Sequence, residues 1–497
     1  AGRALRRAAA PGARAGARRG GGGAHRAGRL AWQGPRRTRG IASATTPRID
    51  AGQADPPRRR DNRRMSRHRL SPLLDPKSVA LYGATEREGA PGRLLLEHLQ
   101  AAGFPGPIGA INPKRRVALG VRCVTDAAGL DFVPDVALAA VPAAALPAVV
   151  DDCAARGTRF VVVYTPAHAL ASREDASALL SRARGRGVRL VGPGCVALMR
   201  PQARLDAGLA PGGARAGRVA LLSQSGAVVA SLLDWAGPAG IGFSSGLSLG
   251  GALDRHFRAL LGWDQVDHQT DSVLMYLEGV HDARRFMSSV RALSRVKPVV
   301  IMKAGRAGDG DGDGERGEGA SHSDALTGND RVFEAAIARA GAVRADTTMQ
   351  LLAAARLLAL KKRPAGPRLA IVSNGSGPGT IAADAVDGDP LELARLAPAT
   401  VASLDALRPV PAAHPHPVDL LPDAGPTRIE AALKAVLADP GVDAALMLFV
   451  PQSATGSVEA AGAIAAAAAG QPKPVAAEMA GGPAAPPRPP APGGGRR

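Results

Sequence analysis

Aromatic side chains are scarce in this chain: three Trp, three Tyr and eight Phe make up 3% of its 497 residues. Without aromatics interleaved among its basic residues, and without a recognisable reading module, the chain is not expected to bind nucleic acid. Cysteine is scarcer still. Cys123, Cys153 and Cys195 stand far apart, in neither a disulfide framework nor a zinc-ligand spacing. The expectation is a reduced, cytoplasmic protein with no metal site of its own. Nor does any uninterrupted apolar run approach the roughly 20 residues of a membrane span, so no membrane partner is expected.

Charge of one sign is abundant, but in one place. Residues 1–64 hold 17 Arg and no Lys against three acids, a net +14 of the chain's +20, which leaves only +6 for the other 433 residues. This stretch is rich in Gly, Ala and Arg and buries too little apolar surface to fold, so residues 1–66 are expected to form a disordered tail. Three origins suit it: upstream sequence preceding a start at Met65, a genuine basic tail, or an Arg-rich, acid-poor transit peptide.

From Pro76 onward short apolar runs alternate with helical stretches, the signature of βαβ units and parallel sheets. Ser78–Tyr82, 108–111, 136–141, 160–164 and 188–191 read as strands of one doubly wound domain, residues 70–200. A second, 215–362, takes strands at 218–222, 240–244, 272–276 and 299–303. After the linker Lys361-Lys362-Arg363-Pro364, a third runs over 367–482 from the strand 369–373 and looks cut short. Residues 483–497 degenerate into a disordered Pro/Gly/Arg tail. The fold class expected is α/β, with three consecutive doubly wound domains.

Several strand-to-helix turns carry residues suited to anions, because free backbone N–H groups and the helix dipole point outward there. Gly83-Ala84-Thr85 is a loose nucleotide-binding turn, equally compatible with an ordinary tight turn. Lys114 closes the second strand, where its ammonium would meet a phosphate or simply face water. Ser223-Gln224-Ser225-Gly226 opens a long apolar helix and presents hydroxyls and N–H groups to one oxyanion, with Gly226 permitting close approach. Glu278 in Tyr276-Leu277-Glu278-Gly279 follows another strand. His322 sits in Ser321-His322-Ser323-Asp324-Ala325-Leu326-Thr327-Gly328, a setting that also suits a helix cap. If His322 reaches the Ser225 helix start it would carry a phosphoryl group there, with Glu278 orienting its second ring nitrogen. Asp309, Asp311 and Asp313 lack the closing Glu of a calcium loop and read as a flexible insert.

Taken in order, these stretches resemble the NDP-forming acyl-CoA synthetase family, in particular the α part of ADP-forming acetate–CoA ligase, itself similar to the succinyl-CoA synthetase α subunit. The resemblance runs from about Leu70 to Gly482. It rests on Asp75-Pro76-Lys77-Ser78, Gly83-Ala84-Thr85, Asn112-Pro113-Lys114, Ala140-Val141-Pro142-Ala143, Gly192-Pro193-Gly194-Cys195, Ser223-Gln224-Ser225-Gly226, Ser248-Leu249-Gly250, Tyr276-Leu277-Glu278-Gly279 and the His322 stretch. In the third domain it continues through Asn374-Gly375-Ser376-Gly377-Pro378-Gly379 and Pro417-Val418-Asp419.

The resemblance implies a Rossmann-like CoA-binding domain followed by two flavodoxin-like domains of succinyl-CoA-synthetase type. It implies a ligase that interconverts acyl-CoA, ADP and phosphate with a small, acetate-like carboxylic acid, CoA and ATP. Gly83, Ala84, Thr85, Lys114, Val141 and Pro142 would contact CoA. His322 would be the transient phosphohistidine, Glu278 its partner, and Ser223, Ser225 and Gly226 the phosphate cradle. ATP or ADP with Mg2+ would be held mainly by an ATP-grasp domain, which does not follow here and would come from a β subunit or a fused region. Two family asparagines are replaced by Gly194 and Gly251, a departure expected to weaken substrate or loop positioning. A CoA-binding regulatory module of a fused lysine acetyltransferase is the competing reading; His322 and Glu278 favour the enzyme, since a pure binding module needs neither.

Overall fold

Four-residue apolar strands buried along their whole length need cover on both faces, and a parallel sheet flanked by helices supplies it. The computed structural model describes residues 68–479, apart from 171, 211, 251–256, 281, 305–329, 361, 387–390, 411–415 and 452–454. Its first sheet contains β1 (Val79–Tyr82), β2 (Ile108–Ile111), β3 (Val117–Ala118), β4 (Val121–Val124), β5 (Val136–Ala139), β6 (Phe160–Val163) and β7 (Arg189–Val191). The strand order is β3-β4-β2-β1-β5-β6-β7, parallel except for the β3–β4 hairpin. The helix Pro91–Ala101 starts with Pro, whose missing N–H costs nothing at that position. Leu146–Arg156 ends at Gly157, which supplies the left-handed cap (φ +88°).

The second sheet contains β8 (Ala197–Arg200), β9 (Leu205–Gly208), β10 (Ala216–Ser223), β11 (Phe243–Ser248), β12 (Ser272–Leu277), β13 (Val299–Lys303) and β14 (Val343–Ala345). Its order is β14-β13-β12-β10-β11-β8-β9. Strands β10 to β14 run parallel, whereas β8 and β9 form an antiparallel hairpin against β11. Residues 197–200, expected in the first unit, therefore belong to the second sheet, where the hairpin covers the otherwise open edge of β11. It also joins the sheets: Leu205 and Ala207 share one buried cluster with Leu95, Leu96 and Leu99 of the helix Pro91–Ala101.

Strand β11 starts three residues later than the sequence suggests. Gly240 adopts φ +70°, and a Cβ on Gly242 would lie 2.2 Å from the Ala216 carbonyl oxygen, so this stretch is a tight crossing of two backbones. The strand proper is Phe243-Ser244-Ser245-Gly246-Leu247-Ser248, all buried. Its serines look loop-like in sequence, but Ser244 is satisfied inside, with its hydroxyl 2.7 Å from that of Thr270.

The third sheet contains β15 (Arg368–Ser373), β16 (Glu392–Leu393), β17 (Val418–Asp419), β18 (Ala444–Phe449) and β19 (Val475–Met479), in the order β16-β15-β18-β19 with β17 also on β15. It has its own core, in which the helix Pro426–Ala438 buries Ile429, Leu433 and Val436. The helices Ser376–Asp384 and Pro398–Ala406 were not legible in the sequence; the latter's apolar residues have almost no helical periodicity.

Candidate functional site

In the first sheet β1 lies between β2 and β5, so the chain leaves it toward opposite sides and a crevice opens at its carboxyl end. Gly83 turns the chain there with φ +88°, and a Cβ on it would meet the Ala140 carbonyl oxygen at 2.2 Å. A Cβ on Gly92, one turn further on, would meet the Gly83 oxygen at 2.0 Å. Both positions require glycine. Ala84 is buried, and its carbonyl accepts a bond from Asn112 Nδ2 (2.7 Å), whose Oδ1 accepts from the backbone N–H of Lys114 (2.9 Å). Asn112 thus ties the end of β2 to the turn after β1 and holds Lys114 at its rim, exposed. Thr85 Oγ1 accepts from Arg87 N at 3.3 Å. Val141 and Pro142 follow β5 on the other side of the crevice, and Thr165 Oγ1 donates to the Val141 carbonyl (2.6 Å). All six residues expected at the CoA site therefore gather at one sheet edge.

The second sheet brings together Ser223, at the end of β10, and Glu278, just past the end of β12. Ser223 Oγ accepts from Ser225 N (3.0 Å) and donates to the Ser225 carbonyl (2.7 Å), while Ser225 Oγ caps the helix Gly226–Ala236 at Val228 N. The Ser223 hydroxyl hydrogen is spent on the turn, whereas Ser225 Oγ only accepts and keeps its O–H to donate. What the turn offers an anion is the helix N-terminus, with the N–H groups of Gly226 and Ala227, and the Ser225 hydroxyl. Gly226 has a packing reason as well: a Cβ would strike the Val196 side chain at 2.2 Å.

Gln224, between the two serines, was not singled out as a site residue. It is buried, and its Oε1 accepts the backbone N–H of Glu278 (2.5 Å) and of Gly279 (3.0 Å) while its Nε2 donates to the Gly279 carbonyl (2.9 Å). Burial pushes the half-buried Glu278 carboxyl above the usual carboxylate range. The third sheet repeats the device. Ser373 Oγ bonds both backbone groups of Gly375, and Asn374 exchanges two bonds with the backbone of Val450, 2.8 and 2.7 Å.

His322 lies outside the described residues, as does Gly251. The strand before the His322 segment, β13, pairs with β12, and Ala304 N donates to the Leu277 carbonyl at 2.8 Å. Ala304, the last described residue before that segment, therefore lies at the sheet edge that holds Ser223 and Glu278.

A continuous seam joins the two turns. Thr165, bonded to Val141, accepts from Gly194 N (2.8 Å); a Cβ on Gly250 would fall 2.1 Å from the Pro193 oxygen; and Leu249 N donates to the Ser223 carbonyl (2.7 Å). Gly194 has φ +75°. Asn tolerates that conformation better than most residues and Gly best of all, so this departure from the family pattern preserves the backbone. Among the described residues no group of three or more His, Cys, Asp or Glu is placed to hold a metal ion, and no helix is long and apolar enough to cross a membrane.

Two predominantly parallel sheets, each with a strand-to-helix turn at its carboxyl edge and the two turns joined by one seam, define a doubly wound α/β protein. Residues 77–201 match the model of a CoA binding domain and residues 216–358 that of a succinyl-CoA ligase like flavodoxin domain. The α subunit of acetate–CoA ligase [ADP-forming] I of Pyrococcus furiosus is 31% identical over 395 residues, 76% of this chain and 82% of that protein. Acetate–CoA ligase [ADP-forming] I of Archaeoglobus fulgidus is 34% identical over 392 residues, 78% of this chain but only 56% of that protein. The solved structure of the dinucleotide-forming acetyl-coenzyme A synthetase 1 of Ca. Korarchaeum cryptofilum with phosphate and ADP superposes with TM-score 0.77 at 29% identity, covering 83% of this chain and 89% of that one. The chain belongs to the ADP-forming acetate–CoA ligase family and corresponds to its α part.

Proposed function

We propose that this chain carries the acyl-CoA half of the reversible reaction acyl-CoA + ADP + phosphate ⇌ carboxylic acid + CoA + ATP, with an acetate-like acid as substrate. Phosphate attacks the thioester carbonyl, the C–S bond breaks, and CoA leaves as the thiolate. A ring nitrogen of His322 then attacks phosphorus in the acyl phosphate; the P–O bond breaks and the carboxylate departs. The phosphohistidine finally passes its phosphoryl group to ADP, giving ATP and free imidazole. ADP and its Mg2+ are assigned to an ATP-grasp β subunit or fused region, in a cytoplasmic setting.

The observation that carries this reading is the seam from Gly83 through Val141, Thr165, Gly194 and Leu249 to Ser223, which keeps the glycine turn after β1 and the helix-opening turn after β10 at neighbouring sheet edges. Each residue has a distinct task. The crevice at Gly83–Thr85 receives the CoA phosphates close to the backbone, and Lys114 supplies a point charge at its rim. The helix start at Gly226 stabilises charge on the transferred phosphoryl group without having to reorganise. Glu278, poorly solvated, is a strong acceptor for the imidazole N–H opposite the reacting nitrogen, fixing the tautomer and stabilising the cationic ring.

The test incubates the full chain with acetyl-CoA and radiolabelled phosphate, beside His322→Ala. Acid-labile label on the wild type and none on the variant supports the reading. CoA binding without label in either would replace it with a CoA-binding regulatory module.

A further inference from the structure

Lys303, the last residue of β13, is 6% exposed, and its Nζ has no hydrogen-bond partner. Its nearest anion is Asp330 Oδ1 at 3.7 Å, and it lies 5.6 Å from the Phe333 ring centroid. Asp330 begins the helix Asp330–Arg339, and its other oxygen accepts from Arg344 Nη2 at 2.6 Å. Arg344, in β14, also lies 3.1 Å from Asp346 and 3.8 Å from Glu334.

Burying an ammonium against one partner at that distance is a poor way to gain stability, because desolvation offsets the attraction. What the arrangement does accomplish is conformational. It pins the residue where the chain leaves β13 to the residue where it re-enters a helix, and Arg344 braces the junction from the neighbouring strand. The residues between these two points include His322. Since β13 pairs with β12, the junction also has a set register to Leu277 and hence to Glu278.

We propose that Lys303, Asp330 and Arg344 are positioning residues for phosphoryl transfer: they fix the two described points that flank His322 in the chain, the end of β13 and the start of the helix Asp330–Arg339. The proposal rests on the phosphohistidine reading above.

The experiment measures the single-turnover rate of phosphate labelling from acetyl-CoA in the full chain for wild type, His322→Ala, Lys303→Met, Asp330→Asn and Asp330→Glu, with CoA affinity and melting temperature for each. Lys303→Met keeps the stem and leaves Asp330 paired with Arg344, so a merely structural role predicts equal or higher stability and an unchanged rate. The positioning role predicts labelling slowed about 10- to 100-fold in Lys303→Met and Asp330→Asn, the scale of an ångström of misplacement, with CoA affinity within about twofold. Asp330→Glu, which keeps the charge, restores part of the rate. Wild-type labelling rates in both neutralised variants overturn the proposal, as does CoA affinity falling in step with labelling. A wild-type chain that takes no label overturns the phosphohistidine reading itself, and this proposal with it.

Discussion

Gln224 Oε1 accepts the backbone N–H of Glu278 at 2.5 Å, so a buried amide on one strand-to-helix turn sets the position of an acid on the next. The same oxygen holds Gly279 N and the same amide donates to the Gly279 carbonyl. The turn that opens the helix at Gly226 and the backbone that carries Glu278 are thereby tied together.

Replacing Gln224 with Ala leaves two N–H groups and one carbonyl buried without partners, at about 1–3 kcal/mol for each orphaned group. Gln224→Ala is expected to lower the melting temperature and to slow His322 labelling more than tenfold, with CoA affinity retained because the crevice at Gly83 lies in the other sheet. Labelling and calorimetry on the same preparation check it.

Gly226→Ala places a methyl 2.2 Å from Val196 Cγ2 and 2.8 Å from Val196 Cβ. Overpacking of this kind costs about 1–3 kcal/mol. Val196→Ala removes the obstructing methyl groups, so the double variant is expected to recover part of the stability that Gly226→Ala loses. Denaturant melts of the four proteins measure the coupling, and additive losses would show that Val196 is not the obstacle.

The two positive-φ glycines of the first turn are expected to respond unequally. A Cβ at Gly89 (φ +69°) meets nothing within 4 Å, so Gly89→Ala carries only the left-handed backbone penalty of about 1–2 kcal/mol. Gly83→Ala adds a clash with the Ala140 carbonyl, which no side-chain movement relieves. Calorimetric titration with CoA is expected to show binding abolished in Gly83→Ala and nearly intact in Gly89→Ala.

Far from the seam, Asp264 is fully buried, and burial followed by the charge of Asp267 pushes its carboxyl up to about 7. Between the ordinary carboxylate range and about 7 the folded chain holds a proton that the unfolded chain has lost. This contribution is therefore complete at the acid end of the window and falls as pH rises, by up to about 1.4 kcal/mol per pH unit. Asp267 shifts the other way: burial pushes its carboxyl up, but the bonds from Arg200 and Thr270 and the Arg200 charge outweigh it and lower it, so it acts below the Asp264 window. Asp264→Asn is expected to flatten the decline in melting temperature from pH 4 to 7, and a profile unchanged by the substitution would count against the assignment.

The parallel-sheet strands were legible because burial on both faces leaves a local trace: 136–139, 160–163 and 299–302 are continuous apolar runs. β11 was misplaced because its central residues are Ser, Ser and Gly, whose burial depends on Thr270 and on Met199, whose Cε lies 2.9 Å from where a Gly246 Cβ would stand. The hairpin β8–β9 was missed for a related reason: its partners are β11 and the helix Pro91–Ala101, both distant in sequence.

By itself the sequence determined the α/β class, the ordered turns at Gly83, Ser223 and Glu278, and the family resemblance they carry, since each depends on residues adjacent along the chain. Only the tertiary structure decided that Gln224 fastens Glu278, that Gly226 makes room for Val196, and that Lys303 meets Asp330. Those facts are contacts between residues 27 to 54 positions apart. Side-chain reach across such separations is set by packing, which no local spacing encodes.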